Sequence, residues 1–69
     1  METIKLREEY IKLGQAIKAV GFVEDGVEAK IEIKEGNVLV NGEVDTRRGR
    51  KLYAGDVVEF NGKKIQIEK

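Results

Sequence analysis

Apolar and polar residues alternate over Thr3–Leu6, so Ile4 and Leu6 share one face of a short strand. The period then changes. Tyr10, Leu13, Ala16, Ile17 and Val20 recur three and four apart and cover an arc of about 120° on a helix. Lys12, Gln15 and Lys18 fall on the other side, and Gly21 stands where a left-handed C-terminal stop belongs. The spacing predicts a helix from about Glu9 to Val20, after which Phe22 and Val23 fold back onto the core.

Two patterns compete in the next segment. Val27, Ala29, Ile31 and Ile33 alternate with Glu28, Lys30, Glu32 and Lys34, a period of two that argues for a strand. The ends argue for a helix. Asp25 can cap it with Glu28 three residues on, and Gly36-Asn37 supplies a left-handed stop. As a helix the segment gathers Glu28, Glu32 and Glu35 on one side and Lys30 and Lys34 on another. The residues alone leave the two readings even.

Beyond Gly36 the chain reads as strands. Val38-Leu39-Val40 runs into Asn41-Gly42, a strong hairpin turn, and Glu43-Val44-Asp45 leaves it extended. Leu52 leads to a turn at Ala54-Gly55-Asp56, and Val57–Phe60 is followed by a second turn at Asn61-Gly62. Lys63–Glu68 closes the chain with Ile65 and Ile67 on one face. With helices first and a small twisted sheet after, the fold class is α+β and residues 1–69 form a single domain.

Composition narrows the chemistry. A domain of 69 residues buries only about 60% of its unfolded surface, too little to enclose a dry catalytic cleft. Cysteine and histidine are both absent, which excludes a disulfide-stapled miniprotein, a zinc finger and the commonest nucleophiles and bases. Glu24-Asp25 offers too few ligands for calcium. The reading is therefore no enzyme, no metal and no cofactor. No apolar run spans a membrane or forms a signal-peptide core, so a cytoplasmic location is expected; a monomer is expected as well.

Charge supplies the functional signal. The chain carries 13 basic and 13 acidic residues, yet four of the six positions in Thr46-Arg47-Arg48-Gly49-Arg50-Lys51 are cationic and none is acidic. A neutral chain with one concentrated basic patch has the pattern of a module that grips a polyanion locally. Arginine forks pair with phosphate oxygens, and Gly49 lets backbone approach. The competing reading is a solvated loop. Tyr10, on the apolar stripe, reads as core. Tyr53, beside the basic run, reads as a surface residue with a smaller chance of stacking on a base.

The run E-G-N-V-L-V-N-G-E-V-D-T-R-R-G-R-K-L-Y-A-G-D-V-V-E-F, Glu35 to Phe60, resembles the alpha-L RNA-binding motif first described in small-subunit ribosomal protein four. The similarity is greatest to stand-alone bacterial members. It also takes in Leu13-Gly14-Gln15-Ala16, Gly26, Ala29-Lys30 and Glu35-Gly36, and covers about Thr3 to Lys69. The resemblance implies that Gly26–Glu35 is helical. It also implies two helices on a small, mostly antiparallel sheet, and a groove for RNA backbone between the helices and the following loop. The residues matching that groove are Lys12 and Lys18 on the first helix, Lys30 and Lys34 on the second, and Arg47, Arg48, Arg50 and Lys51 in the loop. Implied partners are structured ribosomal or transfer RNA, and the ribosome or one of its proteins, in assembly or translation. Gly26-Val27-Glu28 replaces the Ser-Arg with which larger members often begin the second helix, and Glu24, Asp25 and Glu28 make that end acidic. Two alternatives stand beside this reading. One is an interaction module docking an acidic protein. The other is a ubiquitin-like sulfur carrier, against which the ending Ile67-Glu68-Lys69 lacks the reactive Gly-Gly.

Overall fold

The computed structural model describes residues 2–69. The element order is β1 (Glu2–Lys5), β2 (Ile11–Lys12), α1 (Leu13–Ala19), α2 (Gly26–Lys34), β3 (Val38–Val40), β4 (Glu43–Val44), β5 (Lys51–Leu52), β6 (Val57–Phe60) and β7 (Lys63–Glu68). Five strands form one sheet in the order β1-β7-β6-β3-β4, and β2 pairs with β5 in a separate two-stranded ribbon. Among the described residues only the β1–β7 pairing is parallel, so the sheet is mostly antiparallel, as expected.

The two Asn-Gly turns set the register. Asn41 and Asn61 both adopt positive φ (53° and 52°), followed by Gly42 and Gly62 at 86° and 77°. Two consecutive left-handed residues make the turn whose twist matches a hairpin. The second turn aligns Val58 with Ile65, while the β3–β6 pairing sets Val40 beside Val58 and the β1–β7 pairing sets Ile4 beside Ile67. These alternate residues form one apolar sheet face. Leu13, Ala16 and Ile17 of α1 and Ala29 and Ile33 of α2 close over it. Val23 is buried in the same cluster, and Phe22 packs on Phe60 with ring centroids 5.8 Å apart. The fold-back after Gly21 is therefore real.

Residues 26–34 are helical, which decides against the strand that the period of two proposed. Both helix ends are closed. Asp25 Oδ1 accepts the Glu28 N–H at 2.8 Å, while Glu28 Oε1 accepts the Glu24 N–H at 2.7 Å. At the other end Gly36 N–H donates to Ile33 O and Asn37 N–H to Glu32 O, both at 3.1 Å. That is the Schellman arrangement. The misleading alternation has a simple cause: Ala29 and Ile33 face the core, whereas Val27 and Ile31 lie on the outer face and are exposed.

The first helix starts later than its apolar stripe predicted, at Leu13 rather than near Glu9. Ile11 and Lys12 are held extended by pairing with Leu52 and Lys51. Lys12 is therefore the residue before the helix rather than part of it. Tyr10 leaves the helical stripe and ends 37% exposed, which corrects its reading as core.

Candidate nucleic-acid interface

The basic loop is folded around a carboxylate. Asp45 is the buried charged residue of the described chain, at 7% exposure. Its N–H donates to Val38 O at 3.1 Å, extending the β3–β4 ribbon. Its Oδ1 accepts the Arg47 N–H at 2.9 Å and Nε at 3.1 Å, and its Oδ2 accepts Arg47 Nη2 at 2.8 Å and Arg50 Nη1 at 3.1 Å. The Arg47 side-chain hydrogen bonds, helped by its backbone amide and by Arg50, outweigh burial and bring the Asp45 carboxyl down to about 2. The same hydrogen bonds raise the Arg47 guanidinium.

Two of the loop's forks are thus engaged before any ligand arrives. Arg47 has spent one bidentate edge on Asp45, although its side chain is still 71% exposed. Arg50 is only 28% exposed. Arg48 makes no ion pair among the described residues and is exposed. Lys51 lies on β5 with Nζ 4.8 Å from the centroid of the Tyr10 ring, a cation–π geometry.

Loop carbonyls then fasten this basic turn to α1. Leu13 N–H donates to Arg50 O at 2.8 Å and Gly14 N–H to Arg48 O at 3.0 Å. These are first-turn amides, which a helix leaves without internal partners. Because the loop takes them, they are not the donors for an anion. The contact also explains Gly14. A Cβ at that position would stand 2.7 Å from Arg48 Cγ, so the Arg48 stem lies directly across the glycine.

The Arg48 side chain reaches a cleft of about 310 Å³ lined by Lys12, Gly14, Gln15, Lys18, Gly26, Ala29, Arg48 and Gly49. Three cations from three parts of the chain meet there with no carboxylate in the lining. The acidic residues at the start of α2 do not line it, and Asp25 and Glu28 each turn one oxygen to a capping amide. Lys30 and Lys34 are exposed one turn apart on α2, outside this lining. The expected cations therefore divide into three groups. Lys12, Lys18 and Arg48 converge, Arg47 and Arg50 brace the loop, and Lys30, Lys34 and Lys51 flank.

The sequence reading missed Asp45 as the hub of the loop and Gly14 as the seat of Arg48. A carboxylate two residues before the first arginine was the available signal for Asp45, since an Asx side chain readily accepts the amide two residues on. Gly14 inside a helical stripe was the signal for close approach.

Gly14→Ala tests the seat. Helix propensity favours alanine by up to about 1 kcal/mol, whereas the Arg48 stem must move aside. The expected outcome is a thermal midpoint near that of the wild type with RNA affinity several-fold weaker. Melting curves and binding isotherms on one sample check both halves.

A profile of the S4 domain family matches residues 4–68. The chain is 51% identical over 59 residues to the probable ribosome maturation protein RlbA of Bacillus subtilis, covering 86% of this chain and 83% of that protein. It is 40% identical over 68 residues to the putative RNA-binding protein YbcJ of Escherichia coli, covering 97% of both. The solution structure of Escherichia coli YbcJ, described as revealing an alpha-L motif involved in RNA binding, superposes with a TM-score of 0.76 at 38% identity. That match covers 100% of this chain and 89% of the other.

Proposed function

The chain belongs to the S4 domain family of RNA-binding proteins and carries its alpha-L motif, and from that premise we propose that it grips structured ribosomal or transfer RNA by the phosphate backbone. The observation that carries this reading is the convergence of Lys12, Lys18 and Arg48 on one carboxylate-free cleft between α1, α2 and the basic loop. Phosphates entering the cleft release counterions from the RNA, which favours binding at low salt. The Asp45 brace ties Arg47 and Arg50 into the loop, which lowers the ordering that RNA binding must impose. Arg47, Lys51, Lys30 and Lys34 extend the positive surface on either side, and Arg50 holds the loop in shape.

Backbone contacts position a protein without reading sequence, so the determinant is the shape of the RNA. The activity is binding, without catalysis. The name of the Bacillus subtilis relative points to ribosome maturation as the process, with the cytoplasm as the location. No helix among the described residues is long and apolar enough to cross a membrane. Membership of the S4 family displaces the ubiquitin-like carrier as an alternative.

Fluorescence anisotropy with a structured ribosomal RNA fragment and a DNA duplex of equal charge, each at two salt concentrations, tests the proposal. Tighter binding to RNA, weakening with a log–log salt slope of about 2 or more for three phosphates, is the expected result. Equal weak binding to both nucleic acids, or displacement by an acidic protein but not by RNA, overturns it in favour of a protein-docking role for the loop.

A further inference from the structure

Both tyrosines of the chain stand at one end of the β2–β5 ribbon. Tyr10 precedes β2, Tyr53 follows β5, and the pairing of Ile11 with Leu52 draws them together. Their ring centroids are 6.1 Å apart with planes tilted by 52°. The two phenylalanines pack against each other at the core, but the tyrosines stay open to solvent, at 37% for Tyr10 and 45% for Tyr53. Lys51 Nζ sits over the Tyr10 ring, 4.8 Å from its centroid, which leaves Tyr53 as the more open of the two.

A second cleft, of about 470 Å³, opens next to Tyr10 and falls within the range of small-ligand sites. It lies between α1 and the chain leading from β1 to β2. Lys5, Arg7 and Lys18 line it against the single carboxylate of Glu8. Gln15 and Lys18 line both clefts. A strand of RNA leaving the first cleft would therefore pass Lys18 to reach the cleft that Tyr10 lines.

We propose that Tyr10, Tyr53 and this second cleft form a subsite for one unpaired nucleobase of the bound RNA. The base stacks on Tyr53, the more open ring of the pair, which adjoins Tyr10 at the edge of the cleft without lining it. The phosphate of the neighbouring nucleotide in the cleft meets Arg7 or Lys18. Every base has a π-face, so such a subsite selects an unstacked nucleotide and is tolerant of which base it is. Lys51 positions Tyr10 and adds charge. The inference rests on the RNA-binding reading and sharpens it: the preferred RNA is a helical segment adjoining a bulge, loop or end.

The test uses the full chain and two RNA hairpins, one fully paired and one identical except for a single bulged 2-aminopurine. The wild type should bind the bulged hairpin about tenfold more tightly and quench the 2-aminopurine. Tyr53→Leu should erase that preference and the quenching while leaving affinity and salt slope on the paired hairpin unchanged. Tyr53→Phe, which keeps the ring, should retain both. Equal wild-type affinity for the two hairpins, undiminished quenching in Tyr53→Leu, or equal loss on both hairpins overturns the subsite. If binding that is salt-dependent persists in those cases, the RNA-binding reading stands and only the subsite falls. If the wild type binds neither hairpin, both fall. Should Tyr53→Leu not fold, loss of preference in Tyr53→Phe counts against the subsite, because the stacking ring is still there.

Discussion

Replacing Lys12, Lys18 and Arg48 together with alanine raises the dissociation constant for structured RNA by about a hundred- to a thousandfold at low salt. The figure takes about 1–1.5 kcal/mol for each solvent-exposed charge-assisted phosphate contact. The three side chains are exposed, so the fold loses little beyond the Arg48 stem lying across Gly14. The salt slope should fall by about 2–3, since each lost phosphate removes about 0.7–0.9. The control is Lys63→Ala, Lys64→Ala and Lys69→Ala, which removes the same charge from exposed positions at and just beyond β7. Equal losses in the two triple variants would mean that RNA responds to net charge and that the cleft has no special part. A second contrast lies within the loop. Arg47→Ala should weaken RNA binding less than Arg48→Ala and lower stability more, because Arg47 is tied to Asp45 and Arg48 is not.

How far the sequence could be read follows from how local each determinant is. The strands around Asn41-Gly42 and Asn61-Gly62 were legible because a left-handed Asn-Gly pair dictates its own turn and thereby the register. Both glycine stops, at Gly21 and Gly36, were legible for the same reason. The second helix was ambiguous because half of its apolar residues, Val27 and Ile31, do not enter the core, so composition could not reveal its inner face. The family resemblance, and not periodicity, resolved it. The start of α1 was misjudged because the competing partners are distant: Lys51 and Leu52 hold Lys12 and Ile11 extended, and the Arg48 and Arg50 carbonyls take the first helical amides. The cationic run was visible, but its division into bracing and free arginines was not. That division depends on a carboxylate whose burial exists only in the folded loop.

Asp45→Asn lowers the thermal midpoint by about 10 °C, corresponding to about 2 kcal/mol in a domain of this size. The isosteric amide cannot replace the carboxylate. Arg47 N–H and Nε point at one oxygen, and Arg47 Nη2 and Arg50 Nη1 point at the other. Whichever way the amide turns, its NH₂ group faces two donors, and a buried donor without an acceptor is destabilising. The pH dependence supplies an independent check. The folded Asp45 carboxyl titrates at about 2, below the unfolded value of about 3.9. A depressed carboxyl contributes stability that is complete above the unfolded value and is lost as pH falls through the folded one. The gap between wild type and Asp45→Asn should therefore be constant above about pH 5 and close between about pH 4 and pH 2. Other carboxylates titrate in the same window, so the informative quantity is the difference between the two proteins rather than either curve alone. Since no cation is removed, the salt slope for RNA should be no shallower in the variant. A midpoint equal to that of the wild type, or a gap that ignores pH, would show that the arginines hold the loop without Asp45, and the separation of bracing from binding arginines would fail with it.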